Sequence, residues 1–153
     1  MTSSDKIVFG FRNEGLAIDV EVVDSIVEVD RFFLIPHSPP FLRGIITLHS
    51  EVVTILDLPL LFQKDRGELK PPYRLVVTRM NNALLGFHIG NAPISFLWKE
   101  NIDAGQCRQE GGRYTDGVIE SREMKIKVIS VASLLDLVEN GIAGGSLVPA
   151  EGQ

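Results

Sequence analysis

The 153 residues include one cysteine, one tryptophan and two tyrosines, and basic residues are outnumbered by acidic ones, 15 Lys+Arg against 20 Asp+Glu. Each shortage removes a class of protein. A single thiol, Cys107, excludes an intramolecular disulfide and any metal site built on several thiolates, and it fits a reducing compartment. A formal net charge of −5 runs against binding to a phosphate backbone, which draws on concentrated positive charge, so no nucleic-acid partner is expected. No apolar run approaches the roughly 20 residues that cross a bilayer. The opening residues Met1–Lys6 lack the charged-then-apolar order of a secretory signal. The expectation is a cytoplasmic protein with no direct membrane insertion.

Residues that carry chemistry are also sparse. His37, His49 and His88 stand far apart with no ligand spacing among them, so no metal and no cofactor is expected. His49 precedes Ser50 directly, and neighbours in a strand point to opposite faces, so adjacency makes no dyad. An enzyme would need His49 to meet Asp57 or Glu51 in a cleft, within hydrogen-bond reach. Cys107 beside Arg108 reads as a thiol in a loop. The pairs Gly111-Gly112 and Gly144-Gly145 complete neither a P-loop nor a dinucleotide fingerprint. Phe96 and Trp98, after a strand break at Pro93, read as core residues. Asp19 and Glu21 alternate with Ile18, Val20 and Val22 like a strand with one solvated face. No catalytic residue is assigned, and the chain reads as a non-enzyme.

What the chain does have is apolar residues in short β-branched bursts: Ile7-Val8-Phe9, Ile45-Ile46, Val52-Val53, Leu75-Val76-Val77 and Val128-Ile129. Turn signals such as Asn81-Asn82 separate them, a pattern of small antiparallel barrels or a sandwich. The charged, proline-ended stretch Gln63–Pro72 reads as a connector.

Self-similarity is more informative than any single motif. Gly44-Ile45-Ile46 aligns with Gly117-Val118-Ile119, and without a gap Val53–Leu58 falls on Ile126–Val131. Upstream, the hairpin around Gly15-Leu16 resembles that around Ala83-Leu84, and Ile26 falls on Ile94. The repeats run roughly from 7 to 66 and from 72 to 140, leaving 141–153 as a tail. Asp57 and Ser130 take equivalent places before an apolar cluster, and both are good N-cap residues. After Ser130, the spacing of Val131, Leu134, Leu135 and Val138 predicts an amphipathic helix near 131–140, with Gly141 as a plausible stop. A repeat of about 60 residues is marginal alone, so two small β subdomains within one domain over 7–140 are expected. Strand exchange between them would leave no trace in the sequence.

The segments quoted so far resemble the CheW-like domain of bacterial chemotaxis coupling proteins, from about Ile7 to Val138. Ile7-Val8-Phe9-Gly10-Phe11 with Leu16–Val20 resembles the family's first hairpin, and Val23 and Ile26 fall on its own Val and Ile. Pro36, Pro39, Phe41 and Gly44-Ile45-Ile46 resemble its proline-containing connection and its Gly-Val-x-Asn-Leu-Arg-Gly segment. Ile55-Leu56-Asp57-Leu58 resembles its Pro-Val-Ile-Asp-Leu segment. The resemblance implies a mainly-β fold of two five-stranded SH3-like barrels packed as one domain, with short helices. It also implies an adaptor role in signal transduction. One face would bind the CheW-like regulatory domain of the histidine kinase CheA, and another the cytoplasmic tip of a methyl-accepting chemotaxis receptor, at membrane-associated arrays.

By the same resemblance, the partner-binding positions are Val23, Ser25, Thr47, His49, Ser50, Val52 and Thr54, with Gly44, Asp57, Gly117 and Ser130 structural. Several polar positions depart from the family. Ser25 replaces an acidic residue, Thr47-Leu48-His49-Ser50 replaces Asn-Leu-Arg-Gly, Thr54 replaces proline and Gly90 replaces aspartate. Losing the arginine removes a five-donor fork, and Ser50 in place of glycine suggests a different turn, or one that relaxes the need for positive φ. Two alternatives stand beside the adaptor: a divergent scaffold of another chemosensory-type pathway, and a β-barrel module sensing a small molecule between its halves.

Overall fold

The computed structural model describes residues 4–12, 14–65, 70–102, 107–108, 112–121 and 124–143. Strands β1 (Lys6–Phe11) and β2 (Glu14–Asp19) form a hairpin, and β3 (Val23–Val29) follows. A long connection leads to the hairpin of β4 (Leu42–Leu48) and β5 (Glu51–Asp57), which runs into the short helix α1 (Leu58–Leu61). The second half repeats this order with β6 (Tyr73–Met80), β7 (Ala83–His88), β8 (Ile94–Leu97), β9 (Cys107–Arg108), β10 (Thr115–Glu120), β11 (Lys125–Ile129) and helix α2 (Val131–Ala143).

The strands form two sheets, ordered β8-β1-β2-β11-β10-β9 and β3-β6-β7-β5-β4. Replacing each strand of the second sheet by its sequence-repeat equivalent reproduces the first, with β9 added at the edge. The parallel contacts correspond as well: β5 pairs with β7 and β11 pairs with β2. The chain divides into two units, one of residues up to Val23 with Ala92–Ser133, the other of Asp24–Asn91 with the chain from Leu134. Each unit therefore draws strands from both halves of the sequence.

The β9 edge has a counterpart in the other sheet. Arg108 lies opposite Val118 on β10, and Phe33 forms an isolated bridge to Ile45, the repeat equivalent of Val118. In both places a register shift immediately precedes the glycine, Gly117 and Gly44. A side chain at Gly44, where φ is +153°, would run into the Phe33 carbonyl oxygen. At Gly117 an added Cβ would lie 3.1 Å from the Arg108 carbonyl oxygen. Glycine lets the outer segment approach the ladder at this point in each unit.

Each unit has its own apolar cluster. Val8, Ala17, Ile119, Ile126 and Val128 form one, flanked by Leu97, Ile102, Cys107 and Met124. Ile46, Val53, Ile55, Leu75, Val77 and Leu84 form the other, flanked by Val27, Val29, Phe32 and Leu48. Both helices start in the same way. The Asp57 carboxylate accepts the Leu60 N–H at 3.1 Å, and the Ser130 hydroxyl accepts the Ser133 N–H at 3.2 Å. The residues' own N–H groups donate to Phe41 and Tyr114 at 2.7 and 2.8 Å, again repeat equivalents. Val131, Leu134, Leu135 and Val138 form the buried stripe of α2.

Several local expectations differ from the structure. The mainly-β fold of two small subdomains is as expected, but one sheet has six strands instead of five, and among the described residues no ladder joins the first and last strands of either sheet. Cys107 lies in a two-residue edge strand and packs on a core cluster instead of sitting in a loop. Val20–Val22 form a 3-10 turn, so the alternation after Asp19 is not a strand. Helix α2 passes through Gly141 to Ala143, because one glycine weakens a helix by about 1 kcal/mol without ending it. Phe96 and Trp98 are exposed and stacked, with centroids 5.9 Å apart, so neither is core. Phe96 lies on β8, an edge strand of its sheet, and Trp98 follows directly after it. Gly111, Gly144-Gly145 and most of the tail lie outside the described residues, as do residues 66–69 of the mid-chain connector.

Candidate partner-binding surface

Five of the seven candidate positions lie on one hairpin. Thr47 on β4 pairs with Val52 on β5, and Ile45 pairs with Thr54. Residues opposite each other share a face, and alternate residues along a strand do too. Thr47, Val52, Ile45 and Thr54 therefore line the outer face of the ribbon, while Ile46, Val53 and Ile55 fill the core side. Val52 is 59% exposed, unusual for a valine inside a strand.

His49 and Ser50 form the two-residue loop between the closing pair Leu48 and Glu51. Their φ values are +50° and +68°, the signature of a type I′ turn, whose twist matches the flanking strands. Ser50 thus adopts the left-handed conformation that glycine accepts readily, and the expected relaxation of positive φ does not occur. The tight loop and strand twist fix the backbone, and the side chain must tolerate it. Both residues are exposed at the hairpin tip. Thr54 is half-buried in the middle of β5 and does not precede the strand.

Val23 and Ser25 occupy β3, the opposite edge strand of the sheet from β4. Val23 is its first residue and half-buried, and the Ser25 hydroxyl donates to Asp24 at 3.4 Å. What links the two regions is a residue the sequence reading passed over. Arg79 on β6 donates two hydrogen bonds to the Glu51 carboxylate, at 2.8 and 3.1 Å, and a longer one to Asp24 at 3.4 Å. Its partners lie 55 and 28 positions away in sequence, so no spacing signal could have found them. The Arg79 hydrogen bonds are the main cause that holds the Glu51 carboxyl below its ordinary range; desolvation opposes them as the next largest effect, and the charges of Arg79 and His49 add smaller lowering contributions.

This ion pair, with the strand geometry, bears on the pairing of His49 with Glu51 or Asp57. Glu51 is committed to Arg79. Asp57 is buried at the far end of β5, where its carboxylate caps α1. Six residues of strand separate the hairpin tip from that cap, on the order of 20 Å at strand rise, so His49 cannot reach Asp57. The three histidines stay apart, His37 in the connection before β4, His49 at the tip and His88 buried on β7 against the Tyr73 ring. Among the described residues, no group of three or more His, Cys, Asp or Glu side chains converges as a metal site. No helix among them is long and apolar enough to cross a membrane.

Beside the hairpin lies a groove of about 790 Å³. Val52 and Thr54 form one wall, Leu84 and Leu85 of β7 contribute apolar surface, and Leu135 and Val138 of α2 face them. Glu51, Asn82, Glu139 and Asn140 supply its polar lining. The α2 positions could be read as a helical stripe from sequence, but nothing local joins that stripe to β5 and β7.

The family model of the CheW-like domain matches residues 6–139. Among solved structures, the scaffolding protein TtCheW from Thermoanaerobacter tengcongensis is similar, with a TM-score of 0.69 and 18% sequence identity over 84% of this chain and 89% of that chain. At that identity the likeness is one of fold. No curated protein matches in sequence.

Proposed function

The chain belongs to the CheW-like domain family, and on that premise we propose that it is a non-catalytic chemotaxis adaptor coupling a methyl-accepting chemoreceptor to the histidine kinase CheA. The observation that carries this reading is the family match, which extends across both sheets and not over one motif. The exposed Val52, placed between a tight turn and an apolar groove, supports it as a surface suited to a protein partner. Val23, Ser25, Thr47, His49, Ser50, Val52 and Thr54 are the proposed contacts. The kinase would be held through its CheW-like regulatory domain and the receptor through its helical cytoplasmic tip. Signal then passes as a change in how receptor and kinase pack on this chain, at receptor arrays on the cytoplasmic side.

The test is a pull-down from the source cell with this chain as bait, repeated with Val52→Glu. Recovery of a CheA-type kinase and a chemoreceptor, with one of them lost in the variant, is the expected result. Recovery of neither from cells that express both would overturn the proposal. The His49-Ser50 tip, in place of the family's Arg-Gly, favours a second reading, a scaffold in another chemosensory-type pathway. In that case the bait would retain a kinase and lose the chemoreceptor.

A further inference from the structure

We propose that Arg79 is a positioning residue for the partner-binding surface, holding the β4–β5 tip and β3 in one arrangement through Glu51 and Asp24, a role that rests on the adaptor reading. Arg79 follows Leu75 and Val77 at alternate positions on β6, and both belong to the core cluster, so its side chain leaves the sheet on the core face. Glu51 precedes Val53 and Ile55 on β5 in the same way. Both residues stand where that face meets water, and both are exposed. Strand β7 lies between β6 and β5, so the pair reaches across two strand spacings, about 10 Å. On its other side β6 borders β3. There the Arg79 Nε donates to Asp24 at 3.4 Å, while its two terminal nitrogens donate to Glu51. One guanidinium ties three strands.

The tip needs such an anchor. The ladder of β5 with β7 starts at Val53, so Glu51 and Val52 project beyond it and pair with β4. The turn they lead from holds His49 and Ser50 at φ of +50° and +68°, a conformation that neither residue prefers. A projecting hairpin end with a strained turn opens readily unless something holds it. Glu51 closes that turn opposite Leu48, and Arg79 fixes Glu51. The proposed contacts flank the two acids: Ser25 follows Asp24, while Ser50 and Val52 stand on either side of Glu51. The clamp therefore presents both sets of contacts together. It requires arginine, because a planar fork of five donors serves two carboxylates at once and a single ammonium nitrogen does not reproduce the fork. Exposed ion pairs add little to stability, so the effect falls on the order of the tip and not on the fold.

Two readouts on the full chain test this, backbone NMR order parameters of the chain alone and its affinity for the source cell's CheA-type kinase. In the wild type the amides of residues 48–51 are expected to be as ordered as the strands, about 0.85, and in Arg79→Gln to fall toward about 0.6 while those of Val53–Ile55 and Leu84–Phe87 stay unchanged. If the presented arrangement drops to about a tenth of the population, kinase affinity falls about tenfold, with the unfolding midpoint little moved. Arg79→Lys should lie between the two. The deciding variant reverses every sign, with Asp24→Lys, Glu51→Arg and Arg79→Glu, and it should recover both tip order and most of the affinity. An ordered tip that still fails to bind in this variant would mean that the charges themselves touch the partner, and the positioning role would be wrong. So would an Arg79→Gln chain whose tip stays ordered, or one whose core amides loosen with the tip. A wild type that binds kinase no better than Arg79→Gln overturns the proposal and leaves the adaptor reading standing, whereas a wild type that binds no kinase at all overturns both.

Discussion

Glu51 shows how one neighbour sets a charge state on this surface. Arg79 donates two hydrogen bonds to it, and the folded carboxyl titrates below the ordinary glutamate range. A carboxyl with a lowered folded pKa stabilises the protein above its unfolded pKa, and that contribution is lost as pH falls through the folded value. Both side chains are exposed, so solvent screening keeps the contribution small. In an NMR titration, the Glu51 midpoint is expected to move up toward the ordinary range in Arg79→Gln, and an unmoved midpoint would contradict the pairing. Gly44 makes a sharper residue-scale case. It combines φ of +153° with the close approach of Phe33, whereas Gly117 has only a tight contact at 3.1 Å. Gly44→Ala should lose about 2 kcal/mol or more in chemical denaturation, and Gly117→Ala less, since strained φ and a backbone clash act together at the first site. Equal losses would mean that the two approaches are equally adaptable.

The elements divide into those written locally and those imposed by pairing. Asp57 and Ser130 announce their helices because a side-chain oxygen before an apolar cluster satisfies first-turn N–H groups in the segment itself. The stripe Val131, Leu134, Leu135 and Val138 is legible for the same reason, since its period belongs to one helix. The β4–β5 turn was legible in position but not in conformation. A two-residue loop between twisted strands requires positive φ whatever residues occupy it, and His49 and Ser50 comply against their preference. It follows that Ser50→Gly relieves strain and should raise stability by about 0.5–1 kcal/mol, the left-handed cost less the greater freedom of unfolded glycine. Thermal unfolding measures this, and a destabilised Ser50→Gly chain would show that the Ser50 side chain makes a contribution larger than its backbone strain. Phe96 and Trp98 misled in the opposite sense. Aromatic residues near a strand suggest core, but whether a strand is at the edge is decided by its neighbours in the sheet.

For the molecule as a whole, the repeat in the sequence corresponds to the common order of the two sheets. The alignment of Gly44 with Gly117 carried that information because each glycine serves the same bulge and the same approaching segment. The strand partners were not legible. Parallel pairing of β2 with β11, or of β5 with β7, joins distant segments and leaves no periodic mark in either. The candidate surface divides the same way: the hairpin residues could be named from the resemblance, while Arg79 and the α2 wall of the groove needed the fold. The adaptor reading is tested most directly by recruitment. Kinase from the source cell is mixed with membranes bearing its chemoreceptor and sedimented with and without this chain. The expected result is kinase in the pellet only when the chain is present, with recruitment lost or much reduced for Val52→Glu. Kinase that pellets equally without the chain, or stays in solution when the folded chain is added, would contradict a coupling role.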